Sequence, residues 1–183
     1  MKPLVVALVL AGVAVIVGAR GMAVRRDLVS ERRAINADWS QVDASLLRRA
    51  ALVPDLAAAL EAEAPPHLRP VLMLAISAAD SARAALAAAR TRREKIQANA
   101  RLDDALSRLM LVVENYPQLS HSKKYGDLLE ALKESEYQMA IARRKYNEAV
   151  EHYNTGLDLF PNNIVASFTG LGKIDAYFQT PAI

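Results

Sequence analysis

The sequence predicts an all-α protein: an antiparallel helix bundle carried on an N-terminal membrane anchor. Three observations predict it. Strong helix formers dominate the composition, while aromatic residues make up only 5% and glycine occurs 7 times. Apolar residues recur at steps of three, four and seven, and no stretch shows strand alternation with turn signals. A run of sixteen apolar residues, Leu4 to Ala19, lies close to the start.

The run comes first. It is flanked by Lys2 and Arg20 and is short for a span, which needs about 17 residues or more. Snorkelling of Lys2 and Arg20, with Gly21 to Val24 continuing the helix at the interface, brings it to span length. The anchor is therefore residues 1–24 and the helical body residues 25–183. The competing reading is a cleaved signal peptide with Val17-Gly18-Ala19 as its small-residue site. Charge placement bears on the choice. Arg20, Arg25, Arg26, Arg32 and Arg33 follow the run, whereas only Lys2 and the amino terminus precede it. The positive-inside rule then puts the N-terminus outside and the body in the cytoplasm. The same five arginines are candidates for contact with anionic lipid headgroups.

The body is divided by prolines. Breaks fall at Ala64-Pro65-Pro66, at Tyr116-Pro117, at Phe160-Pro161 and at Thr180-Pro181. The first helical segment carries Leu28, Ile35, Trp39, Val42, Leu46, Val53, Leu56 and Leu60 at seam spacing. Pro54 should kink it near Arg49 to Leu52. The second, Pro70 to Asn115, shifts its apolar phase across Thr91 to Asn99, which predicts a stutter or local break. Ser120 or Ser122 should cap the third, Lys123 to Phe160. It places Tyr125, Leu132, Met139, Tyr146, Tyr153 and Phe160 at strict steps of seven. A short fourth helix is expected over Ile164 to Phe178, with Asn162 or Asn163 as its cap.

No catalytic or metal constellation emerges. The chain has no cysteine, which removes disulfides, thiolate sites and cysteine nucleophiles. His67, His121 and His152 are read as solvated, and Glu148 with His152 lacks the further carboxylates of a di-iron bundle. Thr169-Gly170-Leu171-Gly172-Lys173 lacks the spacing of a phosphate loop. Asp103 and Asp104, Glu61 and Glu63, and the basic stretch Arg90, Arg92, Arg93 and Lys95 are read as solvated faces. No stacking aromatics interleave with that stretch, so nucleic acid is not expected. The reading is non-enzymatic, with no cofactor and no metal.

One polar position stands out. Arg49 falls on the seam between Val42 and Leu56, where a charge needs a carboxylate or several acceptors. Glu114 and Asp43 are candidate partners, as are the tyrosines and amides of the doubled pair Tyr146-Asn147 and Tyr153-Asn154. Together they define a candidate polar seam between the first and third segments that fixes register.

Three blocks, in order, resemble the LemA family: "ADWSQVDASLLRRAALVPDL" from Ala37, "LSRLMLVVENYPQL" from Leu106, and "ARRKYNEAVEHYN" from Ala142, followed by "FPNNIVA" and "AYFQ". The chain departs from the family pattern in four places. "GMAVRRDLV" stands where a Tyr-Asn pair is usual, and "DASLLRR" lacks an amide. Pro54-Asp55 replaces Pro-Asn, and the loop near Arg90 to Arg101 is short. The resemblance implies a bromodomain-like four-helix bundle on a single-pass bacterial inner-membrane anchor. It implies no catalytic activity, and one branch of the family is associated with forming a membrane organelle. The expected function is thus a membrane-tethered scaffold binding lipid and a protein partner or itself. The alternative is an exported soluble bundle, released by signal cleavage, acting as a ligand-binding or envelope-stress module.

Overall fold

A computed structural model describes residues 2–178, the side chains of residues 2–7 and 9 excepted. Among the described residues the protein is entirely helical, with five α-helices: α1 Lys2–Glu63, α2 Arg69–Ala88, α3 Arg92–Asn115, α4 Lys123–Asp158 and α5 Asn162–Thr169. A 3-10 turn, Pro117–Ser120, links α3 to α4. The expected break at Thr180-Pro181 lies outside the described residues.

Every break has a local cause. Helix α1 ends before Pro65-Pro66. Pro54 lies inside it without ending it, since the helical assignment is continuous from Lys2 to Glu63. The phase shift expected in the second segment is a full break at its leading edge. Thr91 caps α3: its side chain accepts from the Glu94 amide at 3.2 Å, and the Glu94 carboxylate accepts from the amides of Arg90 at 2.8 Å and Thr91 at 3.0 Å. That is a reciprocal capping box, and it satisfies donors that a helix start leaves open. Ser122 caps α4 through the Tyr125 amide at 3.2 Å.

Two elements are shorter than expected. Helix α4 stops at Asp158, so Phe160 drops out of the heptad series and stands exposed. Helix α5 stops at Thr169, well before Phe178. Gly170 adopts a left-handed φ of 68°, and the Leu171 amide reaches back to the Ala166 carbonyl at 3.2 Å. Only glycine takes that conformation without a Cβ penalty, so the helix ends there. The residue at the cap position of α5 is Pro161, which makes no side-chain cap bond; Asn162 donates to the Gly156 carbonyl at 3.0 Å, and the Asn163 Oδ1 accepts from the Ile164 amide at 2.8 Å.

The chain forms two compact units. The first comprises Met1–Asp38 and Lys145–Asp175, the second Trp39–Arg144 and Ala176–Ile183. In the first, Leu28 and Ile35 of α1 are buried with Tyr146, Val150, Tyr153 and Leu157 of α4. Two contacts mark the register there: the ion pair of Asp38 with Lys145 at 2.8 Å, and Glu31 beside His152 at 4.0 Å. The pairs are seven residues apart on both helices and in opposite order, so these parts of α1 and α4 run antiparallel in step.

In the second unit the seam residues Val42, Leu46, Val53, Leu56 and Leu60 are all buried, as are Leu132 and Met139 of α4. Helix α2 packs along α3, with Leu72, Ile76, Ala79, Ala82 and Leu86 on its buried stripe. By length and composition α2 is apolar enough to cross a membrane, at a mean hydropathy of 1.5 over its best window. Its alanines and its stripe facing the interior account for that value in a packed hairpin helix.

Candidate functional site

The second unit contains a charged cluster built from three helices. Arg49 on α1 is 4% exposed and donates to one oxygen of the Asp103 carboxylate on α3. Arg143 on α4 donates to the other oxygen at 3.1 Å, and Asn99, one turn before Asp103, donates to it at 2.9 Å. Glu136 on α4 approaches Arg49 at 3.9 Å. A second link, from Lys95 to Asp43, also joins α3 to α1. Asp43 precedes Arg49 as Lys95 precedes Asp103, so α1 and α3 run parallel here.

This corrects the sequence reading on Asp103, which was placed on a solvated face. It lies one turn beyond buried Asn99 and next to buried Leu102, where the α3 stripe turns toward α1. The carboxylate beside Arg49 is Asp103. Glu114 is exposed near the far end of α3, where its charge acts on Tyr125, and Asp43 is engaged by Lys95. A buried arginine needs a matched carboxylate because the desolvation of an unpaired charge is costly. Asp103 serves two guanidiniums, and the Nε atoms of Arg49 and Arg143 and the Oδ1 of Asn99 are buried without a hydrogen-bond partner among the described residues.

A stack of rings and cations adjoins this cluster. Arg143 also lies over the Phe178 ring, 5.1 Å from guanidinium carbon to centroid. Phe178 stacks on Trp39 with centroids 6.2 Å apart and planes inclined by 23°. Arg92 lies over the Trp39 ring, 5.3 Å from guanidinium carbon to centroid. Each cation over a ring contributes about 0.5–2 kcal/mol, rising with desolvation. The sequence reading missed Arg92 and Phe178. Arg92 looked like part of a solvated basic stretch, and Phe178 like the end of a helix. The structure makes Arg92 and Lys95 half-buried and leaves Arg90 and Arg93 exposed.

The doubled Tyr-Asn pair falls in the first unit. Tyr146 and Tyr153 are fully buried, and Asn147 is half-buried. Asn154 holds the chain that follows α5: its Nδ2 donates to the Ile174 carbonyl at 2.8 Å, and its Oδ1 accepts from the Ile174 amide at 2.9 Å. The amide thus pairs with one backbone residue as a neighbouring strand would. The Tyr153 hydroxyl is buried without a partner of good hydrogen-bond geometry among the described residues, although Arg32 and Glu31 lie close enough to act on it electrostatically. Burial pushes its pKa up.

Arg20, Arg25, Arg26, Arg32 and Arg33 are all exposed along α1. So are Leu8, Leu10, Val13, Val15, Ile16 and Val17 of the apolar run. The histidines are exposed as well, and no group of three or more metal-ligating side chains occurs among the described residues. A cleft of about 470 Å³ lies between α2 and α3, lined by alanines together with Arg90, Glu94, Gln97 and Arg101. Nothing in it brings together an acid, a base and a nucleophile.

The fold and the cluster define a helical protein whose polar residues tie helices to one another and to the C-terminal tail. The chain belongs to the LemA family, whose profile matches residues 38–182. It is similar to two proteins of Paramagnetospirillum magneticum, magnetosome proteins MamQ 2 and MamQ 1, each 35% identical over 79 residues. Magnetosome protein MamQ of Magnetospirillum gryphiswaldense is 29% identical over the same length. In each case the match covers 43% of this chain and 29% of the relative.

Proposed function

We propose that this protein is a non-enzymatic scaffold tethered to the cytoplasmic face of a bacterial inner membrane by a single N-terminal span, residues 1–24. Residues 25–183 form its antiparallel four-helix bundle. The observation that carries the reading is the construction of α1. One helix of 62 residues joins the apolar run to the seam positions without a break in its assignment. A helix that continues unbroken past the end of an apolar run suits a span that stays attached. The five exposed arginines just beyond the run supply the asymmetry that retains their side in the cytoplasm.

The charged cluster supports a scaffold rather than a catalyst. Asp103 is engaged by two arginines and an amide, so its oxygens serve packing. The body would present its surface to a protein partner or to a second copy of itself, while the arginines meet anionic headgroups. The organelle in the names of the MamQ relatives is not carried over, because the match spans less than a third of each of them.

Alkaline extraction of membranes tests the tether. The full-length chain should stay in the pellet and be released only by detergent. Intact chain in the alkaline supernatant, or a mature N-terminus at Arg20, would overturn the reading in favour of an exported soluble bundle.

A further inference from the structure

Helix α5 is built inside out. Its small residue Ala166 is buried, while Ile164 and Phe168, four residues apart on one face, are 47% and 86% exposed. Leu159 and Phe160, just before it, are 59% and 79% exposed. Four large apolar side chains within ten residues thus face away from the packed unit. A water-facing helix normally places such residues inward, and a clustered apolar surface of this kind marks an interaction site.

The register of the first unit places this cluster. Glu31 is level with His152 and Asp38 with Lys145. Six further residues along each helix bring Asp158, the last residue of α4, level with Arg25. The excursion from Leu159 to Gly172 is closed at its base, where Lys173 bonds Asp158 at 2.8 Å and Ile174 bonds Asn154. The excursion therefore sits at the end of α4 nearest the apolar run. Arg25 is six residues past Ala19, about 9 Å along the helix. That puts the base of the excursion at the outer edge of the headgroup layer, about 5–8 Å thick on each side, into which amphipathic segments settle.

We propose that Leu159–Phe168 is a second membrane contact, with Leu159, Phe160, Ile164 and Phe168 inserted into the cytoplasmic leaflet beside the anchor. The partner is the bilayer, because the patch is apolar and lies next to an exposed apolar helix and a belt of arginines suited to anionic headgroups. The proposal rests on the anchor reading above. Pairing the span with this segment would fix the angle at which the body leaves the membrane, since two contacts constrain what one leaves free.

Single-cysteine labelling tests this directly, because the chain has no cysteine of its own. Phe160→Cys, Phe168→Cys, Val13→Cys and Ala37→Cys of the full chain are each labelled with an environment-sensitive fluorophore. They are reconstituted in nanodiscs of mixed zwitterionic and anionic phospholipid, and quenched with aqueous iodide or spin-labelled lipid. All four sites are exposed on the protein, so labelling leaves the core intact. The expected result is several-fold weaker iodide quenching at 160 and 168 than at 37, with quenching by lipids labelled near the headgroup. Full iodide quenching at 160 and 168 with protection at 13 overturns this proposal and leaves the anchor standing. Iodide access at 13 overturns the anchor and this inference with it. Protection at 160 and 168 that vanishes when each disc holds a single copy assigns the patch to self-association and overturns the lipid contact.

Discussion

Asn154 grips Ile174 by both of its backbone groups, at 2.8 and 2.9 Å. The second amide of the doubled Tyr-Asn pair thereby fastens the chain beyond α5 to the flank of α4. Replacing Asn154 by Ala removes both bonds to the half-buried Ile174 backbone, at a cost of about 1 kcal/mol for each. Chemical denaturation should show the lower midpoint, and limited proteolysis should cut sooner around Lys173. Asn154→Asp should be worse than Ala at neutral pH, because it sets a carboxylate against the Ile174 carbonyl.

Asp103 joins α1, α3 and α4 through Arg49 and Arg143. Asp103→Ala should destabilise by about 3–5 kcal/mol, since it strands buried guanidinium charge. Arg49→Met should cost far less, and a combined Arg49→Met, Asp103→Leu variant should recover most of the loss. Equal losses for the two single variants in a denaturant series would argue against an ion-paired seam. If Arg49→Met raised the melting temperature with oligomeric state unchanged, a role in register would be hard to sustain.

Thr91 and Glu94 close the start of α3. Thr91→Ala should cost about 1 kcal/mol, the usual worth of an N-cap. The two backbone amides that donate to it hold the Glu94 carboxyl below its ordinary value of 4.5. A depressed folded pKa contributes stability that is present above 4.5 and is lost as pH falls through the folded value. Glu94→Gln should flatten that part of the acid stability profile. The measurement is the unfolding midpoint from neutral pH down into the acid range.

Burial raises the pKa of both Tyr153 and Tyr125 above the ordinary 10.0. A raised folded pKa gives stability that is complete below the unfolded value and is lost as pH climbs through the folded one. Phenolate absorbance should therefore lag behind that of free tyrosine in alkali and then rise together with loss of helical circular dichroism. Tyr153→Phe removes a hydroxyl without a good partner, so it should change stability at neutral pH by less than about 1 kcal/mol. It should also move alkaline unfolding upward.

What the sequence made legible was periodic. The seam from Leu28 to Leu60, apart from half-buried Trp39, and the heptad series from Tyr125 to Tyr153 are buried as their spacing required, because a helix fixes which positions share a face. Phe160 broke the series because α4 ends at Asp158 and the chain turns at Phe160-Pro161 before the next heptad closes. The capping box at Thr91 was available in "TRRE" and was obscured by its basic residues. Asp103 was not legible. Its neighbour Asp104 is exposed, and only the azimuth of α3 relative to α1 decides which of two adjacent carboxylates meets Arg49. The stack of Trp39 and Phe178 joins residues far apart in the chain, which no local pattern encodes.

The central claim is that α1 carries one attached span with the body in the cytoplasm. Its most direct measurement is the reaction of Ala37→Cys with a membrane-impermeant maleimide in spheroplasts, read alongside the intact mass of the protein. The account predicts no labelling until the inner membrane is permeabilised, and a mass that retains residues 1–24. Labelling in intact spheroplasts, or a mass that begins near Arg20, would contradict it.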